Sequence, residues 1–375
     1  MDNVTLPMPD TFPDLLLTLT ALSGEFPSAL VKRLPGSEYY NRNAVTRMKK
    51  AGLLYKYSRD GLHGVRLTSA AKDLLLTQQP DRYSDILAGD SVLNAPKYTA
   101  VRRARLHRMA EVLVSMFNAN VLILPWEKPA IFQEDGETSL TDIDQPTYYT
   151  SLEIKGGGDQ GRKFTGSRAT GILFTYDNIY LTFNTGSSEM KWDSKSETRL
   201  KVFVTHDLCC QRAGRYSLKR PDAIMFASDI GQFNVLMDGS KKKKSRNQTV
   251  LDDFDHFHYL TNDYYGAVIL CLLCDPELRK VLDGVLMKGL TPVAYGYSGV
   301  SCDAIDENKA PVLFGYTCDM PRIKRFVHGL ITNERKGMLY CFDFQEEAVK
   351  QVCGPQVDTQ CIDFDAAVRL LWEDE

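Results

Sequence analysis

SEYYNRNAVTRMKKAG (residues 37–52) decides how the first part of the chain is read. Ser37 is a good N-cap for a helix that Gly52 ends. Tyr40, Ala44, Val45, Met48 and Ala51 recur at helical spacing and can face a core. Arg42, Asn43, Thr46, Arg47, Lys49 and Lys50 are then left on the outer face. Arg carries a donor pair that matches the O6/N7 edge of guanine and Asn a donor and an acceptor that match adenine, while lysines near a helix end suit phosphates. The expectation is a helix that presents residues from Asn41 to Lys50 to a major groove.

Working outward, FPDLLLTLTALS (residues 12–23) holds Leu15, Leu16, Leu19 and Leu22 at three- and four-residue spacing, with Pro13 in the first turn and Gly24 as a stop. PSALVKRL (residues 27–34) reads as a short helix broken by Pro35-Gly36. After the basic helix, LLYKYS and VRLTS flank Arg59-Asp60-Gly61, and Asp-Gly between alternating apolar residues is a strong hairpin signal. Lys56, Arg59, His63 and Arg66 would line that hairpin, and SAAKDLLLT (residues 69–77) closes the unit as a helix. Helix, short helix, basic helix, hairpin, helix is the order of a winged helix-turn-helix, expected over residues 1–80. Between Glu25 and Lys72 there are ten Lys/Arg against three acids, the electrostatic footprint of nucleic-acid binding.

That local charge stands out because the whole chain is slightly acidic, with 45 Lys/Arg against 48 Asp/Glu over 375 residues. The last thirty-five residues carry nine acids and two bases, which suits a solvated face or a partner surface but not DNA. A chain 43% hydrophobic and 25% charged belongs to the ordinary globular class. It has no apolar run long enough to span a membrane and no signal-like start in MDNVTLPMPD. Nine scattered cysteines, an odd count, point to free thiols in a reducing cytoplasm.

Residues 81–118 read as a linker followed by a basic helix, KYTAVRRARLHRMAEVLVSMFNAN, with Arg102, Arg103, Arg105 and Arg108 crowding its early turns. It suits an extended DNA footprint, a subunit contact or a bridge between domains. Residues 119–250 read as a β-rich α/β module. Its expected strands are ANVLILPW, YYTSLEIK, RATGILFT, IYLTFNTG, AIMF and FNVLM, with a helix from Ser196 to Cys210 and a basic loop run from Lys241 to Arg246. Residues 251–375 alternate helix and strand, which argues for a small parallel sheet with covering helices.

Motifs that carry chemistry are few. Cys271-x-x-Cys274 sits inside an apolar run and has no second pair, so it reads as core. His256-x-His258 lies beside Asp252, Asp253 and Asp255, and alternation would put both imidazoles on one face of a strand. No third metal ligand can be named. GGGDQG (residues 156–161) lacks the helix that a phosphate-binding loop needs. Restriction-endonuclease-like folds place a carboxylate on one strand and Asp/Glu-x-Lys on the next, where the carboxylates hold Mg²⁺ and the Lys supports an attacking water. Glu153-Ile154-Lys155 fits the second element, with Asp142 or Asp144 as the first; Pro221-Asp222 resembles a first element with no second behind it. The parts stand in the wrong order, so no catalytic, metal or cofactor residues are assigned.

A basic helix–hairpin unit followed by an α/β part containing RPDAIM (residues 220–225) resembles the replication-relaxation family of bacterial mobile elements. GSRATGILFTYDNIYLTFNTG (residues 166–186) and DAIDENKAPVLFGYTCDMPRIKRF (residues 303–326) are similar to stretches in winged-helix proteins of Firmicutes conjugative and mobile elements. The resemblance implies a plasmid or conjugative-element protein with an N-terminal winged helix and an endonuclease-like module behind it. The fold class expected is therefore α+β and α/β: a winged helix-turn-helix followed by a mixed α/β region, restriction-endonuclease-like or Rossmann-like. The function expected is non-catalytic, sequence-specific binding of double-stranded DNA in replication, transfer or transcriptional control. Partners would be DNA, a second copy of the chain, and replication or transfer proteins, with no membrane. The rival readings are a Mg²⁺-dependent nuclease using Glu153 and Lys155, and a protein-interaction module.

Overall fold

The structure is a computed structural model and describes residues 5–88, 99–129, 131, 144–156, 166–187, 192–209, 216, 220–237, 253–294 and 296–372. The chain is mixed α and β with three sheets, and it divides into two compact units. The first is Met1–Asn118 with Leu122–Lys128; the second is Ala119–Val121 with Pro129–Glu375. The basic helix expected as a bridge thus lies inside the first unit, and the segments 119–250 and 251–375 fold together as the second.

In the first unit, α1 (Phe12–Ser23) buries Leu16, Leu17 and Leu19 and stops at Gly24, whose φ of 72° suits glycine. The next segment departs from expectation. Phe26–Pro27 forms a short strand, β1, and Ser28–Arg33 is a 3-10 helix rather than an α-helix. Pro27 is held extended because β1 pairs antiparallel with a later strand, Phe26 opposite Val65, and the residues left before Pro35-Gly36 make only tight turns. Then come α2 (Glu38–Lys50), β2 (Leu54–Arg59), β3 (Leu62–Leu67) and α3 (Ser69–Gln78), and the sheet order is β1-β3-β2. Residues 80–87, expected within a linker, form α4 (Pro80–Leu87), because Pro80 starts a helix there instead of breaking one. Tyr83 is buried, with its hydroxyl 2.7 Å from Thr18 Oγ1. The unit's last helix is α5 (Ala100–Asn118).

The second unit contains two five-stranded sheets that share one core, including Phe183, Phe257, Ile323 and Leu339. The first sheet begins with β4 (Thr147–Thr150), which turns into a short helix, α6 (Ser151–Gly156), where the sequence suggested one continuous strand. It continues through β5 (Ala169–Phe174), β6 (Ile179–Gly186), α7 (Ser194–Val202) with a π-helical turn over Phe203–Cys209, β7 (Asp222–Ala227), α8 (Gly231–Met237) and β8 (Phe257–Thr261). The order is sequential, β4-β5-β6-β7-β8; β4, β5 and β6 are antiparallel, and β6, β7 and β8 run parallel. FNVLM, expected as a strand, lies in α8: Asp229 Oδ1 accepts from Gly231 N at 2.9 Å, and Phe233 is buried while Val235 is exposed. ANVLILPW forms no extended strand either, since Pro125 opens a 3-10 turn over Pro125–Glu127.

The second half continues through α9 (Tyr264–Cys274), α10 (Pro276–Leu286), β9 (Thr291–Pro292), β10 (Ala304–Ile305), β11 (Pro311–Phe314), α11 (Met320–Thr332), β12 (Gly337–Phe342), α12 (Glu346–Cys353), β13 (Val357–Ile362) and α13 (Phe364–Trp372). The alternation yields the expected parallel core, β11-β12-β13, with β10 and β9 added antiparallel at one edge. No helix among the described residues is long and apolar enough to cross a membrane.

Candidate nucleic-acid interface

The α2 helix is set from its first turn. Ser37 Oγ accepts from Tyr40 N at 3.2 Å, and Asn41 is fully buried, its Nδ2 within 3.2 Å of the Val31, Leu34 and Pro35 carbonyls. Asn41, expected on the base-reading face, is therefore an anchor for the preceding segment. Its short amide satisfies backbone carbonyls that the 3-10 helix and its Pro-Gly exit leave unpaired. Ala44 and Met48 are buried as expected, whereas Tyr40 and Ala51, expected inward, are exposed; Tyr39, Arg42, Thr46, Arg47, Lys49 and Lys50 are exposed too, and Asn43 and Val45 are half-buried. Arg42 is paired to Glu38 one turn back, and Thr46 Oγ1 donates to the Arg42 carbonyl at 3.0 Å.

The hairpin follows. Asp60 and Gly61 have φ of 54° and 74°, the paired positive values of a tight two-residue turn. Lys56, Arg59 and His63 are exposed. Arg66, expected beside them, is only 4% exposed. Its guanidinium binds Glu25 Oε2 through Nε at 2.9 Å and Nη2 at 2.6 Å, and its central carbon lies 4.0 Å from the Tyr57 ring centroid.

Glu25 is the hub of the unit's interior. Arg103 donates to it through Nε and Nη2, at 3.0 and 2.6 Å, and His107 Nε2 lies 2.8 Å away. Burial alone would push the Glu25 carboxyl up. Hydrogen bonds from His107, Arg103 and Arg66 reverse that and hold it at about 2. Arg103 also donates to the carbonyls of Arg59 at 2.6 Å and Leu62 at 3.1 Å. One α5 side chain thereby grips both strands of the hairpin. Gly64 makes room for this hub, since a Cβ there would stand 2.7 Å from Glu25 Cγ and Oε1. Arg103, one of the four arginines that crowd the early turns of α5 in the sequence, thus braces the hairpin from within, while His107 holds the carboxylate that Arg103 and Arg66 share.

In the second unit, Glu153 is not on a strand. Thr150 N and Oγ1 donate to Glu153 Oε2 at 2.7 and 2.8 Å, and Glu153 N donates back to Thr150 Oγ1 at 3.3 Å, the reciprocal bonds of a capping box at the start of α6. The Thr-x-x-Glu spacing was the signal for this role. Asp144 is exposed before β4, while Asp142, GGGDQG beyond Gly156 and the Lys241–Arg246 run lie outside the described residues.

Asp222, at the start of β7, accepts from His256 N at 3.2 Å and from Asn178 Nδ2 at 3.1 Å. Burial pushes its carboxyl up to about 6 against the lowering influence of His256. Nδ1 of His256 donates to Asp319 Oδ2 at 2.6 Å, which raises the imidazole. The His256 and His258 rings lie near-parallel with centroids 6.3 Å apart, and burial pulls His258 down to about 4. No group of three or more His, Cys, Asp or Glu among the described residues is placed to hold a metal ion. Cys271 and Cys274 pack in α9, where burial pushes both thiols up, Cys271 to about 11. Compared with known proteins, the chain matches no family model, no curated protein and no solved structure.

Proposed function

We propose that the first unit is a winged helix-turn-helix and that the chain binds double-stranded DNA sequence-specifically, with α2 in a major groove and the β2–β3 hairpin as the wing. The observation that carries this reading is the pairing of two exposed basic surfaces on rigid supports. Arg42, Thr46, Arg47, Lys49 and Lys50 project from α2, with Asn43 at the edge of that face, and Lys56, Arg59 and His63 project from a hairpin that Arg103 and Glu25 brace. Rigid placement of a reading helix favours discrimination because little side-chain or loop freedom is lost on binding.

The second unit we read as a mixed α/β module of endonuclease-like rather than Rossmann-like kind, acting without catalysis. Its strands run in sequential order, without the reversal that makes a Rossmann crevice. Neither β5 followed by β6 nor β7 followed by β8 supplies a carboxylate strand with Asp/Glu-x-Lys on the next. The resemblance of RPDAIM and its neighbouring stretches supports a role in a mobile element, in replication, transfer or transcriptional control, with the chain acting in the cytoplasm as a dimer on paired half-sites.

Fluorescence anisotropy on random duplex and on DNA upstream of the chain's own coding sequence, across a salt series, tests the reading. Tight, salt-steep binding that prefers its own DNA supports it, and absence of binding at low salt rejects it. One observation favours a second reading, a protein-contact winged helix: Tyr39 is 79% exposed at the start of α2 and Tyr40 beside it is half-exposed. That reading requires duplex affinity that is weak and nearly independent of salt.

A further inference from the structure

We infer that the second unit carries a docking surface for an arginine-rich segment of a partner protein, centred on Tyr264 and Tyr265. Six aromatic residues converge there: Tyr264, Tyr265, Tyr316, Phe342, Phe344 and Phe364. Tyr265 stacks on Phe344 at 4.4 Å and meets Phe364 edge-on at 4.8 Å, while Tyr264 meets Phe364 at 5.8 Å. Phe342 and Phe364 are buried and hold the cluster rigid, whereas Tyr264 is 59% and Tyr265 40% exposed. Rigid, half-exposed tyrosines over a packed base are the usual anchors of protein interfaces.

Carboxylates ring these aromatics. Asp263 lies two residues past β8, and Asp343 and Asp363 directly follow β12 and β13, so all three sit beyond carboxyl ends of parallel strands, where open α/β sheets collect their ligands. Each spends Oδ1 on a backbone N–H: Asp263 on Gly266, Asp343 on Phe344, and Asp363 on Ala366. Their Oδ2 atoms make no hydrogen bond or ion pair among the described residues, and Asp365 is exposed beside Phe364. Of the two bases in the last thirty-five residues, Lys350 is paired to Glu346 and only Arg369 remains.

Charge complementarity selects the occupant. Phosphates would be repelled, and a second copy would set the same carboxylates against each other in a two-fold contact. A guanidinium instead stacks on a tyrosine face while its fork pairs with a carboxylate, a combination that an ammonium makes less well. This inference does not depend on DNA binding by the first unit.

The test uses the full chain and fluorescein-labelled short oligo-arginine, oligo-lysine and oligo-glutamate peptides. Saturable, salt-sensitive binding of oligo-arginine, weaker binding of oligo-lysine and none of oligo-glutamate are expected. Tyr264→Ser with Tyr265→Ser should weaken oligo-arginine binding about tenfold or more. Asp263→Asn, Asp343→Asn and Asp363→Asn together keep the acceptors of these three backbone N–H bonds, because an Asn amide oxygen accepts as a carboxylate oxygen does, and should weaken binding while flattening its salt dependence. Duplex binding should be unchanged in both variants. Absence of saturable oligo-arginine binding at low salt, or binding that neither variant weakens, overturns the inference. So does self-association that the tyrosine variant abolishes in a chain that ignores the peptide.

Discussion

Arg103 and Glu25, separated by 78 residues in sequence, meet through Nη2 and Oε1 at 2.6 Å, and both side chains are wholly buried. The pair joins α5 to the segment that enters β1, and the same guanidinium caps carbonyls on both hairpin strands. Removing one partner strands the other charge in the interior, which costs about 3–5 kcal/mol. Arg103→Leu should therefore lower the urea unfolding free energy of the chain by that amount. It should also weaken duplex binding even though residue 103 touches no solvent. An Arg103→Leu protein with wild-type stability would show that the pair does not hold the hairpin.

The same hub sets an acid limit. The folded-state pKa of Glu25, about 2, lies below the ordinary carboxylate value, so its contribution is fully present above that ordinary value, roughly 4.3, and is lost as pH falls towards about 2. The difference in urea midpoint between wild type and Glu25→Gln measures it. That gap should be constant near neutrality, shrink below about pH 4 and close near pH 2, a loss of roughly 3 kcal/mol. A gap independent of pH would mean that Glu25 is not the ionised centre.

On the exposed surface the effects should separate by contact. Arg47→Ala should reduce discrimination between specific and random duplex by about 1–3 kcal/mol. Lys56→Ala should weaken both alike and lower the salt slope by about one. Asn41→Ala should behave differently, lowering thermal stability through its three carbonyl bonds without a change in base preference specific to one position. Anisotropy on substituted duplexes, read beside melting temperatures, distinguishes the three.

Amphipathic spacing made part of the α2 surface legible: Ala44 and Met48 are inward and Arg42, Thr46, Arg47, Lys49 and Lys50 outward as expected, but Tyr40 and Ala51, at the two ends of the helix, are exposed where the spacing put them inward. Asn41 and Arg66 escaped it for a physical reason. The amide that reads adenine is the same amide that caps carbonyls, and a guanidinium is placed by a partner 41 residues away that no local pattern announces. Glu153 was legible and overridden: Thr150-x-x-Glu153 is a helix start, but it lay inside YYTSLEIK, whose whole length reads as one strand. The aromatic cluster around Phe364 needed the residues that follow β8 to meet those that follow β12 and β13, which belong to a different sheet, and only the packing of the two sheets in one unit does that.

Gly64 offers a test of the hub that alters no charge. A methyl group there meets Glu25 Cγ and Oε1 at 2.7 Å, and Glu25 cannot swing aside without breaking bonds to Arg66, Arg103 and His107. Gly64→Ala should therefore destabilise by about 1–3 kcal/mol. Because the clash acts through Glu25, the cost should not add to that of Glu25→Ala, and the double-mutant cycle should show coupling of about 1 kcal/mol or more. Strict additivity would place the cost in the β3 backbone instead.

Asp222 runs in the opposite direction from Glu25. Burial lifts its folded-state pKa to about 6, above the ordinary aspartate value of roughly 3.9, so it favours the folded state at low pH and loses that contribution as pH rises through about 6. At neutral pH the buried charge is a cost. Asp222→Asn should raise the unfolding free energy there by about 2–3 kcal/mol and change it little near pH 4. The variant also addresses the nuclease reading, since Asp222 is the carboxylate of RPDAIM. If it served a Mg²⁺-dependent site, wild type would nick plasmid in Mg²⁺ or Mn²⁺ and Asp222→Asn would not. The expectation is intact plasmid with both proteins and a melting temperature higher in the variant at neutral pH. A lower melting temperature at neutral pH would show that the ionised carboxylate is stabilised by His256 and Asn178 more than burial penalises it.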